Sequence, residues 1–134
     1  MAAGTPAATL HIGEVAERVG LSLRTVRYYE EQGLFEPAGR TDGGFRLYTQ
    51  HEVDRLLLIK QMKPLGFTVQ QMRDLLAAHD ALTVDDAQAR QEAERRIGEF
   101  AQQAVSRCDE LRDQLARAEE VARHLAAHIP KGRS

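Results

Sequence analysis

Ten residues of this chain, Ile97, Ala101, Ala104, Cys108, Leu111, Leu115, Ala118, Ala122, Leu125 and Ile129, follow one another at intervals that alternate strictly between four and three. That is the heptad spacing of a coiled coil, sustained over more than four heptads. Charged segments such as ERR, RCDELRD and RAEE separate the apolar positions, so the apolar stripe is narrow and demands a partner helix along its whole length. A helix from Asp85 to about His128 would be about 66 Å long at 1.5 Å per residue, more than twice the width of a small domain. No other segment here is long enough to cover it, and a second copy of the chain is the economical partner. The alternative is a helix folded back on its own domain. Ala at four of the ten positions implies close helix approach, while the seam by itself does not choose between parallel and antiparallel pairing. Upstream of Ile97 the register meets Arg90 and Glu94, so residues 85 to 96 are expected to pack on the preceding domain. Phe100, Val105 and Val121 lie off the seam and are candidates for contact with that domain or with the partner.

The remaining segments are short. Ile12, Val15, Ala16 and Val19 share one helical face, which Gly20 ends. Ser22 is placed to cap a second helix whose inward residues are Leu23 and Val26, closed by Gly33 in the left-handed conformation. Two short helices parted by Gly20 and Leu21 predict a helix-turn-helix. From Leu34 to Tyr48 the pattern changes to a loop and short hairpin, with Asp42-Gly43-Gly44 at the turn and Phe45 and Leu47 alternating inward against Arg46 and Tyr48. A hairpin so placed is a wing. Thr49 with Glu52 forms a capping box for a third helix carrying Val53, Leu56, Leu57, Ile59 and Met62, ended by Pro64 and Gly66. Thr68 with Gln71 starts a fourth, with Met72, Leu75 and Leu76 inside, followed after Ala77 by a polar link holding His79 and Asp80. The expected architecture is mainly α: a disordered tail over 1–10, a winged helix-turn-helix domain over 11–78, a linker over 79–84, a coiled-coil dimerisation helix over 85–129 and a tail over 130–134.

In order and spacing, IGEVAERVGLSLRTVRYYEEQGLFEP, GR, GGFRLY, VDRL and PLGFT, followed by a long terminal helix, closely resemble the MerR family of bacterial transcription regulators. The likeness is specific from about Ile12 to Leu76. Arg24, Thr25 and Arg27 stand on the first two turns of the second helix. In the winged folds its N-terminus enters the major groove, where arginine bonds bidentately to guanine O6 and N7. Tyr28 is expected to face outward, and Tyr29 to serve both the core and a phosphate. Arg40, Arg46 and Tyr48, on loop and wing, are expected to grip the flanking backbone or minor groove. By the family's pattern Lys60 and Lys63 extend the same footprint.

The resemblance also implies a homodimer joined by an antiparallel coiled coil on double-stranded promoter DNA. Its two winged domains would read a pseudo-palindrome, and an effector would distort the promoter spacer for RNA polymerase holoenzyme. The rival reading is a coiled-coil interaction protein whose winged domain binds protein. Net charge is −2, so a case for DNA rests on where the basic residues sit and not on their number.

No nucleophile elbow, P-loop or paired carboxylate motif marks an enzyme, and no cofactor is expected. The lone Cys108 excludes an intramolecular disulfide framework and, at a seam position, is expected to be a small buried hydrophobe. Thiol-rich sensors of the resembled family carry cysteines near the start and end of the long helix. Here Asp85 and Asp86 stand at one end and HIPKGRS follows at the other, so thiolate sensing of copper, mercury or zinc is not expected. His124 and His128 share a helix face at i and i+4. With His79 brought up by a partner, they are the one candidate metal cluster. The N-terminal MAAGTPAAT lacks the basic start and apolar core of a signal peptide, and no membrane association is expected; the expected location is the cytoplasm.

Overall fold

The computed structural model describes residues 9–130. The expected tails lie outside the described residues over 1–8 and 131–134. Six helical segments and a two-stranded ribbon follow in order: α1 (Ile12–Val19), α2 (Leu23–Glu31), β1 (Gly39–Arg40), β2 (Arg46–Leu47), α3 (Gln50–Met62), a 3₁₀ turn (Lys63–Leu65), α4 (Val69–Ala81) and α5 (Ala87–Ala126).

Each helix start is set by local chemistry. The Ser22 hydroxyl accepts the Thr25 amide at 3.1 Å, Thr68 accepts the Gln71 amide at 3.1 Å, and one Asp86 oxygen accepts the amides of Gln88 and Ala89. These side chains satisfy amides that have no partner in the first turn. At Thr49 the box closes from the other side: Glu52 accepts both the Thr49 amide and its hydroxyl at 2.6 and 2.7 Å. Glu52 can therefore be buried without an unpaired charge. Gly20, at φ 71°, ends α1 and lets the chain turn directly into α2.

α1 packs on α2 and α3, and α4 packs on α5. One core joins Val15, Val19, Val26, Leu34, Leu56, Ile59 and Leu76. Leu23, expected inside, is 41% exposed, because it is the first residue of α2 and its side chain precedes the turn that meets the core. Leu57 is likewise at the surface, while Val53, Leu56, Ile59 and Met62 are buried as the third helix's pattern required.

Two boundaries and one side-chain orientation differ from expectation. Leu10, placed at the end of a tail, pairs with Tyr48 by two backbone hydrogen bonds of 2.7 and 2.8 Å and is buried. α4 continues through His79 and Asp80 to Ala81, since nothing after Ala77 breaks a helix, Ala78 is buried, and Asp80 pairs with Arg55 at 2.8 Å. Phe45 does not turn inward: it stands 68% exposed at the wing, whose two-residue strands are too short to impose an inner and an outer face.

α5 is 40 residues long, about 60 Å. Its first turns lie on the domain through buried Ala93 and an edge-to-face contact of Phe100 with Phe67, centroids 5.6 Å apart. Beyond Leu111 it projects into solvent, leaving Leu115, Leu125 and Ile129 exposed.

Candidate nucleic-acid interface

α2 presents an exposed face made by Arg24, Arg27 and Tyr28, the tyrosine 46% exposed, and is held from behind by buried Val26 and Tyr29. Thr25 is half-buried, and its hydroxyl sits 2.9 Å from that of Ser22. The far end of α2 is also anchored: Arg73 of α4 donates twice to the Gln32 carbonyl, at 3.1 and 2.6 Å, and Arg55 of α3 donates to the Leu34 carbonyl at 2.8 Å. Cations at a helix C-terminus meet its partial negative charge as well as its open carbonyls. α2 is thus capped at both ends.

Two hollows flank the exposed face. On the wing side, about 560 Å³ is lined by His11, Ile12, Arg27, Arg40, Phe45 and Arg46. On the other side, about 420 Å³ is lined by Arg24, Thr25, Tyr28, Tyr29 and Lys63, with apolar residues of α4 behind. Arg24 and Arg27 therefore share a helix face but serve different sides of it. Of the arginines and the lysine lining the two hollows, only Arg46 has a carboxylate partner among the described residues; Arg40 donates to the Gly44 carbonyl at 3.1 Å, which braces the hairpin turn.

Two of the expected contact residues have other work. Tyr48, expected on the outer face of the wing, is fully buried. The strand ends at Leu47, and the bridge to Leu10 turns the next ring into the core, 5.9 Å from that of Phe35. Its hydroxyl donates to Glu30 at 2.5 Å, and burial, followed by that bond and the charge of Glu30, raises its pKa well above the ordinary phenol value. Lys60 is directed at the end of α1, donating to the Val19 carbonyl at 2.8 Å. Lys63, by contrast, is exposed beside Arg24 and Tyr28.

Glu30, not singled out from the sequence, is the polar centre of the wing attachment: it also pairs with Arg46 Nε at 3.2 Å and its own side chain is only 13% exposed. An acidic residue in a basic interface carries no signal of its own, and only its contact with a residue eighteen positions away reveals it. Arg55 and Arg73 were hidden for the same reason.

The ring centroids of His124 and His128 are 4.9 Å apart, and His128 Nδ1 donates to the His124 carbonyl at 2.9 Å. His79 lies at the other end of the molecule, on α4, and no group of three or more metal-binding side chains occurs among the described residues. Cys108 is half-buried.

Residues 10–79 match the family described as "MerR HTH family regulatory protein". The mercuric resistance operon regulatory protein of Bacillus cereus is 36% identical over 115 residues, covering 76% of this chain and 87% of that protein. The HTH-type transcriptional regulator ZntR of Escherichia coli is 44% identical over 66 residues, 49% of this chain and 47% of that protein. Among solved structures, a MerR-family regulator lacking the sensor domain, bound to promoter DNA, superposes with a TM-score of 0.68 at 22% identity, covering 90% of this chain and 89% of that one. At that identity the likeness speaks for the fold.

Proposed function

The chain belongs to the MerR helix-turn-helix family of regulatory proteins, and from that premise we propose how its surface engages DNA. It is a DNA-binding transcriptional regulator, with a mainly α fold of a winged helix-turn-helix followed by a long helix. The exposed face of α2 enters the major groove, Arg24 and Arg27 addressing base edges and Tyr28 a phosphate. Arg40 from the wing side and Lys63 from the other side hold the flanking backbone. Arg46 adds a weaker contact because Glu30 shares its charge. Phe45 is set to meet the minor groove, where apolar side chains pack against sugars and base steps.

One observation carries this: unpaired cations stand in both hollows flanking one exposed helix face. Clustering of this kind offsets an overall charge of −2, since only the local potential meets the phosphates. A homodimer through α5 places two such faces on a pseudo-palindromic promoter. Distortion of the spacer in response to an effector, presented to RNA polymerase holoenzyme, is the mode of regulation that the family suggests.

The mercury named for the Bacillus cereus relative does not fit this chain's donors: soft metals of that kind are held by sets of thiolates, and one cysteine per chain, half-buried on α5, does not make a set. Among the described residues no helix is long and apolar enough to cross a membrane.

The test is a salt titration of binding to duplex DNA carrying the chain's own promoter. Affinity should fall steeply with salt and on Arg24→Ala or Arg27→Ala; a winged domain that recognises protein instead would be indifferent to both.

A further inference from the structure

Two arginines close the far end of the recognition helix, and they are backed differently. Arg55 of α3, on the Leu34 carbonyl, is held by Asp80 at 2.8 Å, and among the described residues no hydrogen bond or ion pair joins that pair to α5. Arg73 of α4, on the Gln32 carbonyl, also donates through Nη1 to Gln70 Oε1 at 2.7 Å. The Gln70 amide nitrogen donates in turn to Asp74 Oδ1 at 3.0 Å, and the other oxygen of Asp74 stands 3.7 Å from Arg96 of α5. A continuous polar chain therefore runs from the long helix, across one face of α4, to the carbonyl that closes α2.

The chain has a direction. Gln70, Arg73 and Asp74 fall at i, i+3 and i+4, so their side chains meet on one face of the helix. The Gln70 amide must turn its oxygen to the arginine and its nitrogen to the carboxylate, since the reverse would set donor against donor and acceptor against acceptor. The apolar contacts that seat α5 on the domain, at Ala93 and between Phe67 and Phe100, have no such directionality. They form a pivot, and the polar chain fixes the angle about it. At its other end the backbone turns at Gly33, with φ 76°, and the wing is tied to α2 itself through Glu30, so recognition helix and wing answer to the chain as one body.

We infer that Arg96, Asp74, Gln70 and Arg73 are positioning residues that set the angle of the recognition helix against α5, and with it the half-site spacing that the homodimer prefers. This rests on the DNA-binding homodimer proposed above and adds what determines its choice of spacing. In a dimer joined through α5, the separation and twist of the two recognition helices follow from that angle, and the spacing of half-sites mirrors them. None of the four residues lines the hollows beside the exposed face of α2, so they act through the helix and not on the DNA.

The test uses the full chain and two duplexes, its own promoter and the same promoter with one base pair inserted between the half-sites. The readout is the ratio of the two affinities, in which changes of overall charge and of folded fraction cancel. Arg96→Gln, at an exposed site, and Asp74→Asn, which keeps an acceptor for Gln70 but not the charge, should each narrow that ratio by about two- to thirtyfold, the range of coupling that residues along such a network carry. The salt slope should stay unchanged. Asp80→Asn weakens the other arginine at the same end of α2 without reaching α5, and should leave the ratio as it is. Arg73→Ala combined with Arg96→Gln should narrow it no further than Arg73→Ala alone, because both cut one chain. A native ratio near one, or a ratio that Arg96→Gln and Asp74→Asn leave unchanged, overturns the inference. Equal narrowing by Asp80→Asn overturns it too, since the effect would then be a general loosening of α2. Affinity of the native chain that ignores salt on both duplexes would instead remove the DNA-binding reading, and the positioning role with it.

Discussion

The Tyr48 hydroxyl and the Glu30 carboxylate, joined by a 2.5 Å hydrogen bond, tie the wing to the recognition helix. Because Arg46 holds the other oxygen of Glu30, a residue of α2 fixes both the last buried residue of the wing and one of its exposed cations. Removing the hydroxyl with Tyr48→Phe leaves the ring in the core and the carboxylate short of a partner, at a cost of about 1–3 kcal/mol. Thermal unfolding should show that loss, while the dependence of DNA affinity on salt stays unchanged, because a fully buried residue neutralises no phosphate.

The same pair predicts a response to alkali. Burial and Glu30 raise the Tyr48 pKa above its ordinary value of 10.0, so the folded state favours the protonated phenol. That stabilisation is whole below about pH 10 and is lost as pH climbs beyond it. The native protein should lose stability above pH 10, and Tyr48→Phe should lose less over the same interval; equal slopes in denaturant titrations at successive pH values would contradict this.

Lys60 and Lys63, three residues apart, should separate cleanly. Lys60→Ala removes the cation that caps α1 at Val19 and should lower stability by about 1 kcal/mol, with little effect on the salt slope. Lys63→Ala should leave the melting temperature alone and reduce the slope by about one counterion. A reversed pattern in paired melting and binding measurements would reassign both lysines.

At Gly20 the φ of 71° and the Lys60 ammonium, 2.9 Å from where a Cβ would sit, act together. Gly20→Ala should destabilise by at least 1–2 kcal/mol through the left-handed backbone alone, and the double variant with Lys60→Ala should cost less than the two changes summed.

Leu115 lies at the middle of the seam and is 59% exposed in the single chain. In the proposed homodimer, Leu115→Asp would put two charges at the centre of the paired helices, and should yield a folded monomer by analytical ultracentrifugation. Its DNA affinity should drop toward that of one half-site, with the circular dichroism of the winged domain retained.

What the sequence disclosed followed the range of the physics involved. Ser22, Thr49, Thr68 and Gly20 act within three residues of themselves, and their caps and stop lie where the letters put them. The seam is periodic and equally visible. Tyr48 and Phe45 were misplaced because alternation defines faces only on a strand long enough to have them, and this ribbon pairs just Gly39 with Leu47 and Arg40 with Arg46. Arg24, Arg27, Tyr28 and Lys63 lie at the exposed face as their positions suggested. The residues that hold that face in place were not legible, since Arg73 reaches Gln32 across forty-one positions and Tyr48 reaches Glu30 across eighteen.

The edge-to-face contact of Phe67 with Phe100 has a mechanical meaning. It sits at the joint from which α5 runs on from Phe100 to Ala126, about 39 Å, so the helix is a lever with its fulcrum against the domain. A rotation of about 5° at that joint moves the far tip by roughly 3.4 Å over this length, about twice the ~1.7 Å axial spacing of charges on duplex DNA. In the proposed homodimer, tilting one aromatic ring against another would therefore carry a recognition surface past about two phosphate charges, and the stiffness of this joint would set how faithfully two distant half-sites are held in step.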